Sequence, residues 1–233
     1  MSIRIARFVL DDPSSKNALS LKQAEKLAKD LQLKSSKRNF DAVLVTSRGS
    51  HFCSGGNLSD YAGMKTPMQG KLVNRKITAI LDSLSSLPVP TACVVQGDCL
   101  GGGLELLGSF DYVVSVPEAQ FGFWQRKIAL SFGWGGRKRL ARRLCDSRLD
   151  QLAMSSRNLS AAEALANGLI DQICLASRAE EAAEQWLLQT ASLPALPLEE
   201  LKKSIGKKVD ERKFFEKLWW NKEHLKVLQK FKR

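Results

Sequence analysis

The sequence has no apolar run long enough to cross a bilayer. Its longest apolar stretches, such as residues 43–45 and 92–95, are only a few residues long, whereas a membrane-spanning helix needs about 20. The first ten residues, MSIRIARFVL, lack an extended apolar stretch followed by a small-residue cleavage site, so a secretory signal is not expected. We therefore expect a cytoplasmic protein without a membrane partner.

Disulfide partners and metal ligands are also scarce. The five cysteines show no CxxC or other metal-ligand spacing, and the two histidines, His51 and His224, are far apart in the sequence. Three of the cysteines lie among apolar or small residues, as is typical of buried free thiols. We expect neither a disulfide framework nor a metal site, in agreement with a reducing compartment.

Acidic residues are too few to balance the basic ones, and the net charge is +12. An excess of positive charge favours polyanionic partners, either phosphate-bearing small molecules or nucleic acid. A solvated surface is the alternative interpretation for most of these residues. The excess positive charge is concentrated in three segments, of which the first is the lysine-rich stretch 198–233. The second is the predicted first helix, with Lys22, Lys26 and Lys29. The third lies between residues 125 and 148 and contains Arg126, Lys127, Arg137, Lys138, Arg139, Arg142, Arg143 and Arg148.

The sequence does contain a regular alternation of short strands and helices. Together with a helical end, this alternation predicts an α/β layered domain with a C-terminal helical extension, divided into a core over 1–192 and a helical region over 193–233. The patterns predict strands over 3–10, 41–46, 91–96, 111–116 and 170–174, helices over 19–33, 71–87, 104–107, 136–145, 148–154, 160–167, 179–191, 198–205 and 211–231, and a linker over 192–197.

Two predicted strands lead directly into glycines. The strand near residue 45 precedes FCSGGNL at 52–58, and the strand near residue 94 precedes GDCLGGGLE at 97–105. Glycine lets a backbone approach a ligand closely, and a glycine-rich helix start leaves free amides facing outward. Neither the GxxxxGK[ST] nor the GxGxxG phosphate motif is present. A tight structural turn and an oxyanion hole, with one amide from each loop, both remain open.

The two glycine segments, in this order, resemble the enoyl-CoA hydratase/isomerase family, also called the crotonase superfamily. Other segments of the chain match patterns of the same family, and the resemblance covers residues 3 to about 175. These segments are SKNAL at 15–19, AQFG at 119–122, GWGG at 133–136 and SAAEALANGLID at 160–171.

The resemblance implies a crotonase-like spiral of ββα units with a helical C-terminal trimerisation region. It also implies an acyl-CoA thioester as substrate, no separate cofactor, and a homotrimer or dimer of trimers. Its oxyanion amides correspond to Gly56 and Gly102. Asn57 stands where the family usually has aspartate, so a helix-capping role and ligand contact are both open for it. The residues implied to line the coenzyme A and substrate channel are Ala18, Ser54, Asn57 and Leu58, and the acyl end falls to residues 61–69 and 123–134.

The catalytic positions of the family are only half retained. Glu105 matches one of the two acid/base glutamates, whereas the second falls at Gln125, preceded by Trp124 in place of proline. Glutamine hydrogen-bonds a water or a carbonyl but does not ionise. The resemblance therefore implies a lyase or isomerase that works through a thioester enolate, with Glu105 moving a proton and Gln125 orienting substrate or water. Decarboxylation of a malonyl-type thioester is the alternative.

A function of another class is an RNA-binding protein on a crotonase scaffold. The basic segments motivate this hypothesis, but they lack the interleaved aromatic residues that stack on bases. We therefore do not expect nucleic acid as the main partner. Lysines of the last predicted helix, such as Lys222 or Lys226, are candidates to reach a coenzyme A phosphate from a neighbouring subunit, and the aromatic residues around Trp219 are predicted to pack a subunit interface or the core.

Overall fold

The computed structural model describes residues 2–33, 39–204, 211–219 and 221–230. These ranges contain short strands alternating with helices, as the sequence predicts. The strands are β1 Ile5–Leu10, β2 Ala42–Ser47, β3 His51–Cys53, β4 Thr91–Val95, β5 Asp98–Leu100, β6 Tyr112–Ser115, β7 Gln120–Gly122, β8 Asn158–Ser160 and β9 Gln172–Ile173. The helices are α1 Leu21–Asp30, α2 Leu58–Ala62, α3 Pro67–Ser85, α4 Gly102–Leu107, α5 Gly136–Leu140, α6 Asp146–Ser155, α7 Ala161–Ala166, α8 Ala176–Ala191, α9 Ala195–Ser204, α10 Glu211–Leu218 and α11 Lys222–Gln229.

The strands form two sheets that the chain visits in turn. The larger sheet is parallel throughout, in the order β1-β2-β4-β6-β9. The smaller sheet has the order β3-β5-β7-β8, and only its last pair is antiparallel. A strand of the larger sheet is followed by one of the smaller sheet and then by a helix, as in β2-β3-α2 and β4-β5-α4. This repeat confirms the predicted α/β fold with its ββα units.

The core lies on both faces of the larger sheet. Every residue of β2 and β4 is buried, because a parallel sheet covered on both sides needs apolar residues at successive positions. Helix α8 packs against β2, β4 and β6, and helix α1 packs against α3. Helix α1 buries Ala24 and Leu27, and Ser20 begins it with a capping box to Gln23. The two glycine loops leave this rigid core at the ends of neighbouring strands.

Several predicted boundaries were wrong. The predicted linker 192–197 overlaps helix α9, which begins at Ala195. The long helix predicted over 211–231 is instead two helices, because the Asn221 side chain caps a new helix by accepting the N–H groups of Glu223 and His224; the end of that range, Phe231, lies outside the described residues. Strands β3, β5, β7 and β8 and helix α2 were missed, because each is too short to show a periodic pattern.

The C-terminal helices are attached to the core through a buried lysine. On α9, Lys202 forms an ion pair with Asp111 at 2.6 Å and donates to the carbonyl of Val89. The division at residue 192 and the trimerisation of the helical region stay predictions. Across the ranges described, no helix combines the length and the apolar character required to span a membrane.

Candidate functional site

The first glycine loop follows strand β3 and runs beside residues 18–19. Leu19 donates its N–H to the carbonyl of Gly55 at 2.7 Å, and Asn57 donates to the carbonyl of Leu19 at 3.4 Å. These two hydrogen bonds form a parallel β-bridge between Leu19 and Gly56, and both involve the neighbours of Gly56 rather than Gly56 itself. The N–H of Gly56 itself therefore points away from Leu19.

The second glycine loop lies directly against the first. Gly101 adopts a φ of 53° and donates its N–H to the carbonyl of Gly122 at 2.7 Å, and Gly102 then begins α4. A methyl group added to Gly55 would lie 3.0 Å from the nitrogen of Gly102, and it would be strained by the φ of 104° at that residue. The glycines are thus required for the two loops to touch.

The amides of Gly56 and Gly102 have no protein acceptor in the described part of the chain. Neither N–H donates a hydrogen bond to another described residue. For Gly102 the cause is its position at the start of a helix, where the first amides have no intrahelical partner. Both glycines also contact one indole ring, that of Trp134. The structure therefore brings the two predicted residues to the same small volume.

Trp134 packs over both glycines. A methyl group added to Gly102 would lie 2.5 Å from Cζ3 of the indole, and one added to Gly56 would lie 3.2 Å from Cζ2. Trp134 is 4% exposed, and its indole Nε1 donates to Oδ1 of Asn74 at 3.0 Å. Sequence reasoning placed residue 134 within a broad acyl-end segment and did not identify its contact with the glycines.

Glu105 lies on α4, one turn beyond Gly102, and is 2% exposed. Its carboxylate accepts four hydrogen bonds. The main-chain N–H groups of Trp134 and Gly136 donate to Oε2 at 2.8 and 2.9 Å, that of Gly133 donates to Oε1 at 3.1 Å, and the side chain of Gln125 donates to Oε1 at 3.3 Å. Glu105 thus binds the loop 133–136 to α4.

Gly136 is required for this contact. A methyl group added there would lie 2.2 Å from Cγ of Glu105, closer than any unstrained contact between two carbon atoms. The contact with Glu105 therefore explains why the last position of the GWGG segment is a glycine. Arg139 supports the same loop by donating to the carbonyls of Trp134 and Glu105, and burial lowers the pKa of its guanidinium although Asp82 forms an ion pair with it.

Gln125 lies in a short 3-10 turn over Trp124–Ile128. Its Nε2 donates to Glu105, so the two positions that the resemblance assigns to acid/base residues are neighbours. Trp124 points elsewhere: its Nε1 donates to the side chain of Asn158 at 2.7 Å, and Lys127 lies 4.2 Å from its ring centroid. Trp124 therefore packs against β8, away from Glu105.

The side chain of Asn57 caps helix α2. Its Oδ1 accepts the N–H groups of Ser59 and Asp60 at 3.1 and 3.2 Å, which is the capping alternative that the sequence left open. Leu58, the next residue, is 56% exposed. Ser54, at the start of the same loop, donates its N–H to the carbonyl of Lys16 at 3.1 Å.

The side chain of Asn17 fixes the conformation of the NAL segment at residues 17–19. Its side chain donates to the carbonyls of Arg48 and His51 at 2.8 and 2.7 Å and accepts the N–H of Asp12 at 2.8 Å. Its φ of 52° is a left-handed conformation that asparagine tolerates. This asparagine holds the chain so that the buried Ala18 follows directly against the first glycine loop.

Tyr61 and Asn74 form the far wall of the site. Tyr61 lies against Gly56 and donates its hydroxyl to Oδ1 of Asn74 at 2.6 Å. Burial raises the pKa of the Tyr61 phenol, so the hydroxyl stays protonated as a donor. Sequence reasoning included Tyr61 in the acyl-end segment 61–69, but it did not find Asn74, which lies within helix α3 and matches no motif.

Four arginines of the basic segment 125–148 form ion pairs with carboxylates from other elements. Such ion pairs reduce the field available to a polyanion, which weakens one of the two basic patches behind the nucleic-acid alternative. The pairs are Arg137 with Asp150, Arg139 with Asp82, Arg142 with Asp111, and Arg143 with Asp171.

Comparison with known proteins gives consistent matches. Methylglutaconyl-CoA hydratase of Homo sapiens, a mitochondrial protein, is 34% identical over 177 residues, which are 76% of this chain and 52% of that protein. Ethylmalonyl-CoA decarboxylase of Rattus norvegicus is 28% identical over 200 residues, 81% of this chain and 67% of that protein. The crystal structure of an enoyl-CoA hydratase from Bacillus anthracis has a TM-score of 0.88 and 28% identity, with 99% of this chain and 93% of that chain covered.

The chain spans about half the length of the first curated relatives that it matches, 52% and 56%. The family model described as enoyl-CoA hydratase/isomerase nevertheless matches residues 2–231. With the two glycine loops in contact and the ββα repeat in place, the chain belongs to the enoyl-CoA hydratase/isomerase family, the crotonase superfamily.

Proposed function

We propose that this chain binds a coenzyme A thioester and stabilises the enolate of its acyl group with the N–H groups of Gly56 and Gly102. The observation that carries the proposal is the pair of amides in adjacent loops, neither of which has an acceptor among the residues that the structure describes. Such amides are fixed before the reaction begins, so they stabilise the developing negative oxygen without reorganisation. Each donor of this kind lowers a barrier by about 3–4 kcal/mol.

The coenzyme A moiety is proposed to lie along residues 18–19 and the first glycine loop, with Ala18, Ser54, Asn57 and Leu58 as lining residues. Support comes from the pairing of Leu19 with this loop. The main chain of Asn57 is the contacting group in this proposal, because its side chain is engaged in capping α2.

Hydration and isomerisation both need a group that transfers a proton. Glu105 is the candidate for this role, with Gln125 orienting substrate or water beside it. Glu105 must then release some of the four N–H donors that its carboxylate accepts. Gln125 does not ionise and cannot replace it.

Decarboxylation of a malonyl-type thioester is the second candidate, and the engagement of Glu105 favours it. The bond between the α-carbon and the carboxylate breaks, carbon dioxide leaves, and the electron pair of that bond forms the enolate. The negative charge reaches the thioester oxygen at the two amides, and a proton from water on the α-carbon completes the reaction. No protein base is needed. A relative of this chain is an ethylmalonyl-CoA decarboxylase.

The experiment is to incubate the protein with crotonyl-CoA and with methylmalonyl-CoA and to follow both by chromatography. Formation of propionyl-CoA that persists in the Glu105→Gln variant supports decarboxylation, whereas hydration of crotonyl-CoA that this variant abolishes supports proton transfer by Glu105. Glu118→Gln, at an exposed position, is the matched control. If the wild-type protein consumes neither these nor other acyl-CoA thioesters, the proposed function is wrong.

The assembly and location stay proposals. A homotrimer or dimer of trimers is expected from the family, and sedimentation velocity would measure it. The cytoplasmic location that the sequence predicts would be checked by imaging a tagged full-length protein in its own cells.

A further inference from the structure

We propose that Trp134 limits the acyl group to short chains, so that this site selects short-chain acyl-CoA thioesters and rejects long ones. This inference rests on the proposed function, because it assumes that the thioester carbonyl binds at Gly56 and Gly102. It concerns the substrate class, which the glycine amides alone leave undetermined.

The position of the indole is the first support. The ring covers both glycines so closely that a methyl group on Gly102 would lie 2.5 Å from Cζ3 and 2.8 Å from Cη2. The same Cη2 atom would lie 3.7 Å from a methyl group on Gly56. The ring edge therefore lies beside the α-carbons of both glycines.

The second support is that the indole is held at several points. Its Nε1 donates to Oδ1 of Asn74 at 3.0 Å and contacts the Tyr61 hydroxyl at 3.3 Å, and Tyr61 in turn donates to Asn74. The main-chain N–H of Trp134 donates to Glu105, and its carbonyl accepts from Arg139. A side chain fixed from both its ring and its backbone acts as a wall rather than as a mobile cover.

The consequence for a substrate follows from the direction in which an acyl chain must extend. Once the carbonyl oxygen is at the two amides, the distal carbon atoms of a long acyl chain enter the neighbouring space, which the indole fills. A long chain must displace the ring and break its hydrogen bond to the half-buried Asn74, and the loss of that hydrogen bond costs free energy. A short chain avoids this.

The order of affinities makes the inference testable. In an open apolar channel, each added methylene strengthens binding, because it buries more apolar surface. A wall at Trp134 has the opposite effect, so that the affinity falls as the acyl chain becomes longer. Butyryl-CoA and decanoyl-CoA are suitable probes, since both are saturated and binding does not depend on whether the enzyme hydrates, isomerises or decarboxylates.

The experiment is isothermal titration calorimetry of the full-length protein with butyryl-CoA and decanoyl-CoA. We expect the affinity of the wild-type protein for butyryl-CoA to exceed its affinity for decanoyl-CoA by about tenfold or more, because pocket walls discriminate added methylenes by such factors. Trp134→Ala should raise the affinity for decanoyl-CoA about tenfold or more relative to butyryl-CoA. Trp186→Phe is the matched control, since Trp186 stacks on Tyr112 at 4.6 Å between centroids, and it should leave the ratio unchanged.

Failure of this inference and failure of the proposed function give different results. Equal or tighter binding of decanoyl-CoA by the wild-type protein overturns the inference, as does an unchanged ratio in folded Trp134→Ala. If that variant does not fold, Trp134→Phe, which removes part of the ring, must shift the ratio in the same direction, and no shift overturns the inference. Absence of binding of either thioester by the wild-type protein contradicts the proposed function itself.

Discussion

Nε2 of Gln125 donates a hydrogen bond to Oε1 of Glu105 across 3.3 Å. The two positions that the family resemblance assigns to acid/base carboxylates are therefore in contact, but only one of them is ionisable. Under the proposed function, this difference limits proton transfer in the site to Glu105.

Restoring the second carboxylate is expected to raise hydratase activity. In Gln125→Glu, two carboxyl groups share one site, and because two like charges repel, the pair retains a proton to higher pH. A retained proton makes one member a general acid and the other a base, a combination that contributes about 10²–10⁴-fold to a rate. We expect hydration of crotonyl-CoA to increase by about tenfold or more, measured from the loss of enoyl absorbance.

The control for this gain is Gln125→Ala, which removes the hydrogen bond without adding a carboxyl group. It should show no increase. A folded Gln125→Glu protein with wild-type hydratase activity would mean that position 125 does not face the reacting carbon atoms.

Glu105 is expected to matter for stability as well as for chemistry. In Glu105→Gln, the side-chain NH₂ group faces N–H donors that the carboxylate previously accepted, so buried donors of the loop 133–136 lose their partner. Because each such loss costs about 1–3 kcal/mol, we expect the free energy of unfolding to fall by about 3 kcal/mol in urea denaturation.

Glu118→Gln provides the comparison, because Glu118 is exposed and surface changes usually stay within about 0.5 kcal/mol. Equal stability of Glu105→Gln and the wild-type protein would show that the contacts to residues 133–136 are not formed in solution.

The two tyrosines of the chain are expected to ionise late. Burial raises the pKa of both Tyr61 and Tyr112 above the ordinary value of 10.0. The neutral form is thus favoured in the folded state, so this contribution to stability is complete below the unfolded pKa and is lost as the pH rises through the folded pKa values. Absorbance at the phenolate wavelength should increase at higher pH in the native protein than in guanidinium chloride. Coincident titration curves would contradict the buried environment.

Chemical modification should distinguish the five cysteines. Cys145 is exposed at the start of α6, and its hydrogen bond with the Ser147 hydroxyl lowers the pKa of its thiol. Burial raises the pKa of Cys53 to about 11 and also protects Cys93 and Cys99. Iodoacetamide at mildly alkaline pH should therefore label Cys145 first, as read by peptide mass spectrometry.

The denatured protein is the control for this labelling, since all five thiols should then react at similar rates. Early labelling of Cys53 in the native protein would indicate that the first glycine loop opens to solvent.

The ββα repeat was accessible from the sequence because β2 and β4 are continuous apolar runs and α1 has a clear apolar face. Strands β3, β5 and β7 have only three residues each, and runs so short carry no usable periodicity. The smaller sheet, which holds the two glycine loops in register, therefore had to be inferred from resemblance.

The glycine pair was also predicted by resemblance, whereas its surroundings were not. Trp134 contacts residues that are far from it in the sequence, and its indole N–H reaches Asn74 at a separation of 60 residues. Glu105 accepts donors from a loop 28 to 31 residues further along. Such contacts depend on the packing of loops against α4, which no local pattern encodes.

The central claim is that two main-chain amides hydrogen-bond the thioester oxygen. Infrared difference spectroscopy of bound butyryl-CoA, labelled with ¹³C at the thioester carbonyl, measures this contact directly. Two fixed donors in the low dielectric of a protein site polarise the carbonyl more than water does, so the account predicts a stretching frequency below that of the free thioester in water. A bound carbonyl at the frequency of the aqueous thioester, or above it, would contradict the account.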